Sequence, residues 1–480
     1  MRKPVPFLLL FCLFIPGLYL HATETPGEIV NLQGNHYLTV SKIKITGNKI
    51  TRQAIILREI PFSPGDSIAM KDLPLVLGRI RENLINTSLF NFATADTVTE
   101  LTDHQRVILL IHVVERWYIW PFPFFELSDR NVNAWLQAMD FSRLSYGIDL
   151  TIYNARGRNE TLQLPIHLGF NEMVGMTYRV PYLNRKQTLG IKIGGVFLRN
   201  HEVSYVTERN KLRYLRDYHD YPFQGLYVFT EVIQRYRIYN SLLFRLSYQY
   251  DDFSDSLLKI NPFYSTDSRK NMSFFSVGFQ YKSDHRDAHY YPLKGYYFDL
   301  ILEKDGLSLL HHETTNIFSL NCNLRKYWQL YPRWYFSAGG TLKFSTPPEQ
   351  PYFLQKGLGY GREFIRGYEY YVIDGQHYAF IKTNVKFALL PERNMHLGFL
   401  KSGKFNPLHY AFYVNLFGDA GYVIDNNTIT RYSNTLARDL LVGYGIGLDF
   451  ATYYDIVCRF ELSVNKMNEA GLFIHFIAPL

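Results

Sequence analysis

The chain has 480 residues with a formal net charge of +8, and 16% of its residues are aromatic. Only residues 5–20 form a long apolar run. This excludes a helical membrane protein with several spans, because each span needs about 20 apolar residues, whereas a membrane β-barrel is compatible with the composition. Lys and Arg are spread along the chain without a basic run, so we expect no nucleic-acid partner.

The first residues have the layout of an export signal. Arg2 and Lys3 precede the apolar run, and Leu20-His21-Ala22 supplies a cleavage site after Ala22. A basic start, an apolar stretch and a small residue at the cleavage site are typical of a secretory signal. We therefore predict a signal peptide over residues 1–22. The alternative, a transmembrane anchor, is disfavoured because the run is short and contains Pro16.

A small α+β domain is predicted over residues 37–115. Its strand, helix, helix, strand and strand are expected at Leu38–Thr46, Thr51–Glu59, 70–88, Phe92–Val98 and Arg106–Glu115. The apolar residues of the longer helix are spaced by four, three and four positions and share one face: Leu73, Leu77, Ile80 and Leu84. Two helices on one face of a small sheet leave an edge strand free to bind an added strand.

Residues 117–480 form a long series of segments in which apolar and polar residues alternate. In 241–250, for example, Phe244 and Leu246 alternate with Arg245 and Ser247. A soluble β-sandwich has the same period of two, but the aromatic excess favours a membrane β-barrel, with lipid outside and water inside. The segments are roughly 117–126, 143–154, 160–170, 172–181, 187–206, 222–234, 239–251, 272–284, 294–304, 316–329, 333–345, 376–390, 408–422, 438–450, 454–465 and 471–480. We therefore predict about sixteen antiparallel strands, with the region 187–222 open to one strand or two.

Two cysteines lie in this tract. Cys322 and Cys458 occupy strand-like segments that are not neighbours around a sixteen-stranded barrel. A disulfide needs Cα atoms within about 7 Å, so we expect two isolated side chains rather than a bridge. Cys458 alternates in step with Phe460 and Leu462 and is expected to face lipid.

Three motifs mark candidate functional residues. They are Arg366-Gly367-Tyr368 in the longest loop, roughly 346–375; Phe417, Asp419 and Gly421 two strands later; and Asp284, Arg286, Pro292 and Gly295 at a turn between the eighth and ninth strands. The sequence has no Gly-x-Ser-x-Gly elbow and no His-Glu-x-x-His, so no enzymatic activity is expected. Residues 284–289 contain two Asp and two His, but a strand end and turn is ordinarily polar, so no metal site is expected there.

These motifs, in this order, resemble those of the BamA/TamA superfamily of outer-membrane assembly and secretion barrels. The first domain resembles the POTRA domain of that superfamily through Ile45–Asn48, Ile56–Glu59, the Gly65-Asp66 turn and Thr87–Phe90. The resemblance implies a barrel in the outer membrane of a Gram-negative bacterium, with the N-terminal domain in the periplasm. It also implies that the loop of Arg366 folds back into the lumen.

The resemblance further implies an activity: insertion of proteins into the outer membrane, or translocation of polypeptide across it. The expected partners are an unfolded outer-membrane or secreted polypeptide, the lipid bilayer, and accessory periplasmic proteins or lipoproteins; no cofactor is implied. A passive diffusion porin and a surface antigen with an accessory domain stay open as alternatives. Only one POTRA-like domain fits where such proteins usually carry several, and the chain ends in Leu480 where Phe is common. The first departure leaves the substrate open.

Alternation also predicts a contact between the long loop and the barrel wall. In the thirteenth segment Phe412, Val414 and Leu416 form an apolar face that must meet lipid, which turns Asp419 inward. Arg366 sits on a loop long enough to reach the lumen. We predict that its guanidinium meets the Asp419 carboxylate there, because the planar fork of Arg can bind a carboxylate through two hydrogen bonds.

Two prolines lie in the first barrel segment. Pro121 and Pro123 have no N–H, so they remove two donors from that strand. This predicts weak pairing between the first and the sixteenth segments, although prolines that only mark a strand entrance fit the sequence equally well.

Overall fold

The computed structural model describes residues 37–475 apart from 101, 102, 104, 128–143, 362, 397, 399–405, 407, 427–432 and 453–455. The predicted signal peptide and the C-terminal Leu480 lie outside the described residues. Within the described ranges, none of the helices has both the length and the apolar character needed to cross a lipid bilayer.

The first domain consists of a four-stranded sheet and two helices. Its elements are β1 (Tyr37–Thr46), α1 (Gln53–Leu57), β2 (Ser67–Ala69), α2 (Leu73–Asn86), β3 (Phe90–Thr99) and β4 (Arg106–Glu115). The order across the sheet is β2-β1-β4-β3, in which β1 and β4 are parallel and the other neighbours antiparallel. Ile80 and Leu84 on the predicted face of α2 are fully buried in the domain core. β3 is therefore the long edge strand of this sheet.

Two details of this domain differ from the sequence prediction. α2 begins at Leu73 rather than at residue 70, because a short 3₁₀ turn over Met70–Asp72 precedes it and Pro74 fits best in the first helical turn. β2 was missed, since three residues are too few to show an alternating pattern.

Sixteen antiparallel strands form the second sheet, which confirms the predicted fold class and strand number. The strands after the first domain are β5 (Ile119–Leu127), β6 (Leu144–Ala155), β7 (Glu160–Gly169), β8 (Asn171–Val180), β9 (Leu189–Asn200), β10 (Glu202–Glu208), β11 (Lys211–Arg216), β12 (Phe223–Arg235), β13 (Asn240–Phe253), β14 (Asn271–Asp284), β15 (Gly295–Asp305), β16 (Ile317–Tyr331), β17 (Trp334–Thr346), β18 (His377–Met395), β19 (Leu408–Ile424), β20 (Leu440–Thr452), β21 (Val457–Asn465) and β22 (Ala470–His475). Each barrel strand pairs with the next along the chain, and β9 pairs directly with β12. A short helix, α3 (Asp255–Ile260), follows β13.

β10 and β11 form a separate hairpin outside the barrel sheet. The predicted barrel segment 187–206 was therefore wrong at its C-terminal end, because β9 stops at Asn200. Residues 202–205 alternate as a barrel strand does, and alternation alone does not show which sheet a strand joins. The region 187–222 thus holds one barrel strand and one hairpin.

β18 also runs further than predicted. It extends to Met395, whereas the predicted segment ended at residue 390, before Pro391 and Glu392. Two register shifts, between Ala388 and Leu390 and between Leu390 and Arg393, accommodate these residues. Such bulges allow an extra residue on one strand without ending the ladder.

The barrel wall is apolar outside and polar inside. On β13, Phe244 and Leu246 are 52% and 45% exposed. Arg245 between them points to the other face and contacts Glu231 of β12 at 2.7 Å. This is the arrangement expected when lipid covers the outer face and water or protein fills the lumen.

The two cysteines of the barrel are free thiols, as predicted. Cys322 lies on β16 and Cys458 on β21, and the sheet order separates these strands. Cys458 alternates with the buried Val457 and Arg459 and shares the outward face with Phe460.

Candidate functional site

The connection between β17 and β18, residues 347–376, folds into the barrel and has an apolar core of its own. Its buried apolar side chains pack against residues near the start of β18, the end of β19 and the start of β20. The cluster comprises Leu358, Ile365, Tyr368, Ile373, Tyr378, Phe380, Val423, Leu436, Ala437 and Leu441. We call residues 347–376 the lumen loop. Its packing means that the loop fills space inside the barrel instead of extending into solvent.

Arg366 of the lumen loop binds Asp419 of β19 through both arms of its guanidinium. Nε donates to Oδ2 over 2.8 Å and Nη2 donates to Oδ1 over 2.5 Å. The backbone N–H of Arg366 also reaches Oδ2, at 3.2 Å. Arg366 has no exposed surface, and Asp419 is 3% exposed. The structure therefore contains the contact that the alternation of β19 predicted; its role in activity stays a prediction.

Three further groups surround the same guanidinium. Nη1 donates to Asn384 Oδ1 over 2.6 Å and lies 3.3 Å from Glu461 Oε1. The guanidinium carbon lies 3.9 Å from the centre of the Phe417 ring, a cation–π contact. Phe417 of the second motif thus supports the cation, and Asn384 and Glu461 are ligands that the sequence reasoning did not identify.

Two glycines of the motifs allow the loop to approach the wall. Gly367 has a φ of +91°, in the left-handed region that side chains disfavour. A Cβ atom on Gly421 would lie 2.4 Å from Ile365 Cδ1. Tyr368, which follows Gly367 in the loop, is 2% exposed. Its hydroxyl oxygen accepts a hydrogen bond from the Val442 N–H at 3.4 Å.

The third motif forms the turn between β14 and β15, the eighth and ninth barrel strands. Arg286 donates from Nε and Nη2 to the two oxygens of Asp284, each over 2.8 Å. Pro292 lies in the turn, and Gly295 ends it with a φ of +97°. The Asp284 carboxylate therefore serves as an arginine partner.

A second buried ion pair, absent from the sequence prediction, joins this turn to the wall. Asp449 of β20 accepts from Arg459 Nε at 2.6 Å and Nη2 at 2.8 Å, and from Asn415 Nδ2 at 2.9 Å. The hydroxyl of Tyr291, in the turn, donates to Asp449 Oδ2 over 2.7 Å. Asp449 and Arg459 have 0% and 1% of their surface exposed. Alternation placed Arg459 on the inner face but could not identify its partner.

The first domain docks against the turns at one end of the barrel. Glu59 binds Arg235 at the end of β12 through two hydrogen bonds of 2.8 Å. Arg58 donates to the Tyr182 hydroxyl over 2.7 Å, and burial lowers the pKa of this arginine although Tyr182 opposes the shift. Asn86 donates to the backbone oxygen of Asp287 over 3.1 Å. Contacts with three separate turns fix the domain beneath the barrel end.

A polar cavity of about 460 Å³ remains between the domain and these turns. Its lining includes Arg58, Glu59, Arg179, Arg235 and Arg286, so cationic side chains dominate. The cavity provides an aqueous space at the junction of the domain and the barrel.

Replacing Glu59 by glutamine will loosen this junction. The change removes the carboxylate that contacts both Arg58 and Arg235, and we expect a loss of about 1.5–3 kcal/mol of docking free energy, as for hydrogen bonds to charged groups. Spin labels at positions 75 and 183, in a background with both barrel cysteines replaced by serine, will report a broader distance distribution. Asp96→Asn, at an exposed position of β3, is the control. Equal widths in both variants would show that Glu59 does not fix the domain.

The first and last barrel strands form the two ends of the sheet order. β5 carries Pro121 and Pro123, and the described part of β22 comprises Ala470–His475. Across the described part of the chain, no ladder joins β5 to β22. Proline in a sheet is found on edge strands, at the first residue of a strand or at bulges, because it cannot donate to the ladder. We call the junction of β5 and β22 the seam.

Comparisons with known proteins agree with this geometry. The POTRA model, described as surface antigen variable number repeat, matches residues 38–116, and the Omp85 superfamily domain matches residues 154–453. The structure of BamA from Haemophilus ducreyi lacking POTRA domains 1–3 is similar with a TM-score of 0.50 and 15% identity, over 92% of this chain and 83% of that one. CdiB from Escherichia coli has a TM-score of 0.51 and 9% identity, over 92% and 75%. A comparison with curated proteins found no match.

Proposed function

The chain belongs to the Omp85 superfamily, and from this premise we propose that it resides in the outer membrane and inserts other proteins into that membrane or translocates polypeptide across it. The observation that carries the proposal is the presence, on one chain, of a POTRA domain and a sixteen-stranded Omp85 barrel. In this proposal the POTRA domain lies in the periplasm, and its substrate is an unfolded polypeptide.

The POTRA domain offers a docking edge for such a substrate. β3 pairs with β4 on one side only and is the outermost strand of its sheet. An extended polypeptide can add to such an edge through backbone hydrogen bonds, which suits substrates of varied sequence. The opposite edge is β2, whose three residues are too short to hold a long segment.

The seam offers a second place for backbone pairing. A strand that enters lipid must keep its N–H and C=O groups paired, because no water is available there. The prolines of β5 leave that strand with fewer donors than its neighbours. Missing donors on β5 lower the free energy needed to open the seam, so we expect incoming strands to pair there.

Deletion of residues 37–115 tests the docking role. We expect the barrel to insert and stay heat-modifiable, because the ladders of its sixteen-stranded sheet include no strand of the first domain, while activity is lost with the docking edge. In cells depleted of the protein, the full-length chain will restore the outer-membrane proteome or the secreted proteins, and the deletion variant will not. Which of the two sets recovers distinguishes insertion from translocation. Full rescue by the barrel alone would rule out the docking role, and a proteome unaffected by depletion would rule out the proposed function.

Conductance in planar bilayers separates this proposal from a passive porin. The lumen loop fills the barrel interior with buried side chains such as Arg366 and Tyr368. We therefore expect small, flickering currents. A large and steady pore would favour the porin.

A further inference from the structure

A second group of charged residues lies beside the Arg366–Asp419 contact. Glu369 belongs to the lumen loop, Glu461 to β21 and His475 to the end of β22. Each of the three offers one ligand atom, and these atoms all lie within 4.8 Å of one another. The residues are distant in sequence, so no spacing motif indicated that they meet.

Each of these residues has a buried polar atom that makes no hydrogen bond within the described structure. The atoms are Glu369 Oε1, Glu461 Oε2 and His475 Nε2. Buried polar atoms are normally satisfied, because leaving one without a partner costs free energy. Three such atoms in one place indicate that the site lacks a ligand common to all three.

The second oxygen of each carboxylate is already held. Glu369 Oε2 accepts the backbone N–H of Gly367 at 2.8 Å. Glu461 Oε1 faces Arg366 Nη1 at 3.3 Å, and Glu461 has no exposed surface. These contacts orient the two carboxylates and leave the other oxygens available.

The nearby arginines bind carboxylates outside this group and also lie near Glu461 Oε1, at 3.3 Å for Arg366 and 3.7 Å for Arg459. The forks of Arg366 and Arg459 bind Asp419 and Asp449. The ammonium groups of two lumen lysines face aromatic rings: Lys382 lies 4.2 Å from the Phe364 ring and Lys386 lies 4.3 Å from the Tyr291 ring. The two arginines therefore face Oε1 of Glu461, whereas Oε2 faces the His475 imidazole at 3.2 Å, and Glu369 Oε1 makes no hydrogen bond within the described residues.

We propose that Glu369, Glu461 and His475 bind one divalent transition-metal ion, with zinc as the best match. Two carboxylate oxygens and one imidazole nitrogen suit zinc, which accepts oxygen and nitrogen ligands and takes water in a fourth position. Ligand atoms at about 2.1 Å from a tetrahedral zinc lie about 3.4 Å apart. Glu461 Oε2 and His475 Nε2 lie 3.2 Å apart. The ligand oxygen of Glu369 lies within 4.8 Å of the ligand atoms of both residues.

The ion joins the lumen loop to the last two strands of the barrel. Among the described residues, the ladder of β22 with β21 runs from Ala470 to His475, and β22 lies at the seam. A metal bound at His475 holds this strand end against the loop. If the protein has the proposed function, the bound metal makes the seam harder to open. Only this consequence rests on the proposed function; the metal site itself does not.

Metal titration of the full-length protein in detergent tests the site. After treatment with a chelator, the protein should bind one equivalent of Zn²⁺ by calorimetry, and Co²⁺ in its place should give the visible absorption of a tetrahedral complex. His475→Gln and Glu369→Gln should each weaken binding at least about tenfold, a loss typical even of outer-shell partners. His409→Gln is the matched control: His409 also faces a carboxylate, Glu392 at 3.2 Å, but belongs to no group of three ligands in the described structure. It should leave binding unchanged.

The outcomes that overturn the proposal are equally direct. The proposal is wrong if the wild type does not bind Zn²⁺ stoichiometrically, or if His475→Gln and Glu369→Gln bind it as tightly as the wild type does. It is also wrong if His409→Gln weakens Zn²⁺ binding as much as the two ligand variants do. Heat-modifiable mobility on a gel verifies that each variant is folded. If a ligand variant fails to fold, the Co²⁺ spectrum of the wild type decides, because it shows whether a tetrahedral site exists.

Discussion

Replacing Arg366 by alanine will lower the free energy of unfolding of the barrel by about 3–5 kcal/mol. The guanidinium and Asp419 are both buried, so the change leaves the carboxylate of Asp419 without its cation in a site that water does not reach. It also removes the hydrogen bond to Asn384 and the contact with the Phe417 ring. We expect the lumen loop to detach and activity to fall, while the barrel still inserts. Urea unfolding in detergent and limited proteolysis of the loop measure the two effects.

Lys466→Ala is the matched control for this variant. Lys466 binds Asp439 at 2.8 Å, but both side chains are about half exposed, at 48% and 47%. An exposed pair of this kind contributes about 0–1 kcal/mol. The difference between the two variants therefore isolates the effect of burial. A loss for Arg366→Ala no greater than that for Lys466→Ala would mean that the contact does not hold the loop.

Exchanging the two charges will recover part of the loss. Arg366→Asp combined with Asp419→Arg restores an ion pair across the same gap, so the double variant should be more stable than either single one. Recovery will be incomplete, because the new carboxylate at position 366 would face Glu461 where the guanidinium now lies 3.3 Å away. A double variant whose loss equals the sum of the single losses would show that residues 366 and 419 do not interact directly.

The sequence contains enough information for the barrel and for one contact of its site. A period of two separates the lipid face from the lumen face on every strand, so the inward side chains of β19 could be assigned without a structure. On this strand Asn415, Phe417 and Asp419 are all buried, while Leu416 is 57% exposed. Arg366 was assigned to Asp419 because its loop is long enough to reach the lumen and because the planar fork of arginine suits a carboxylate.

Other parts of the site depend on information that alternation does not carry. Alternation gives the face of a side chain but not its height along the barrel, which depends on strand register and shear. Arg459 was visible as an inward residue, yet its pairing with Asp449 requires the register of β20 against β21. The position of Glu59 against Arg235 depends on how one folded domain meets another, and nothing local in either segment encodes that. The hairpin of β10 and β11 was misread for a similar reason, because its residues alternate as barrel strands do.

Replacing Asp449 by asparagine will have the second-largest effect, a loss of about 3 kcal/mol in the free energy of unfolding. Asparagine keeps the size of the side chain but removes the charge that faces the buried Arg459. The loss lies at the lower end of the range for a broken buried pair, because Glu461 is 3.7 Å from Arg459 and compensates part of its charge. We expect the turn between β14 and β15 to become mobile as well, since Tyr291 loses its anionic acceptor.

Two variants separate the ion pair from the hydrogen bond in this prediction. Asp439→Asn removes the carboxylate of the exposed Lys466 pair and should cost about 0–1 kcal/mol. Tyr291→Phe removes only the hydroxyl that donates to Asp449 and should cost about 1.5–3 kcal/mol, as expected for a bond to a charged group. The turn that carries Tyr291 also binds Asn86 of the POTRA domain through Asp287. A mobile turn should therefore broaden the spin-label distances between domain and barrel in both Asp449→Asn and Tyr291→Phe. If Asp449→Asn is no more costly than Asp439→Asn, and the distances do not change, the buried pair neither stabilises the barrel nor supports the docked domain.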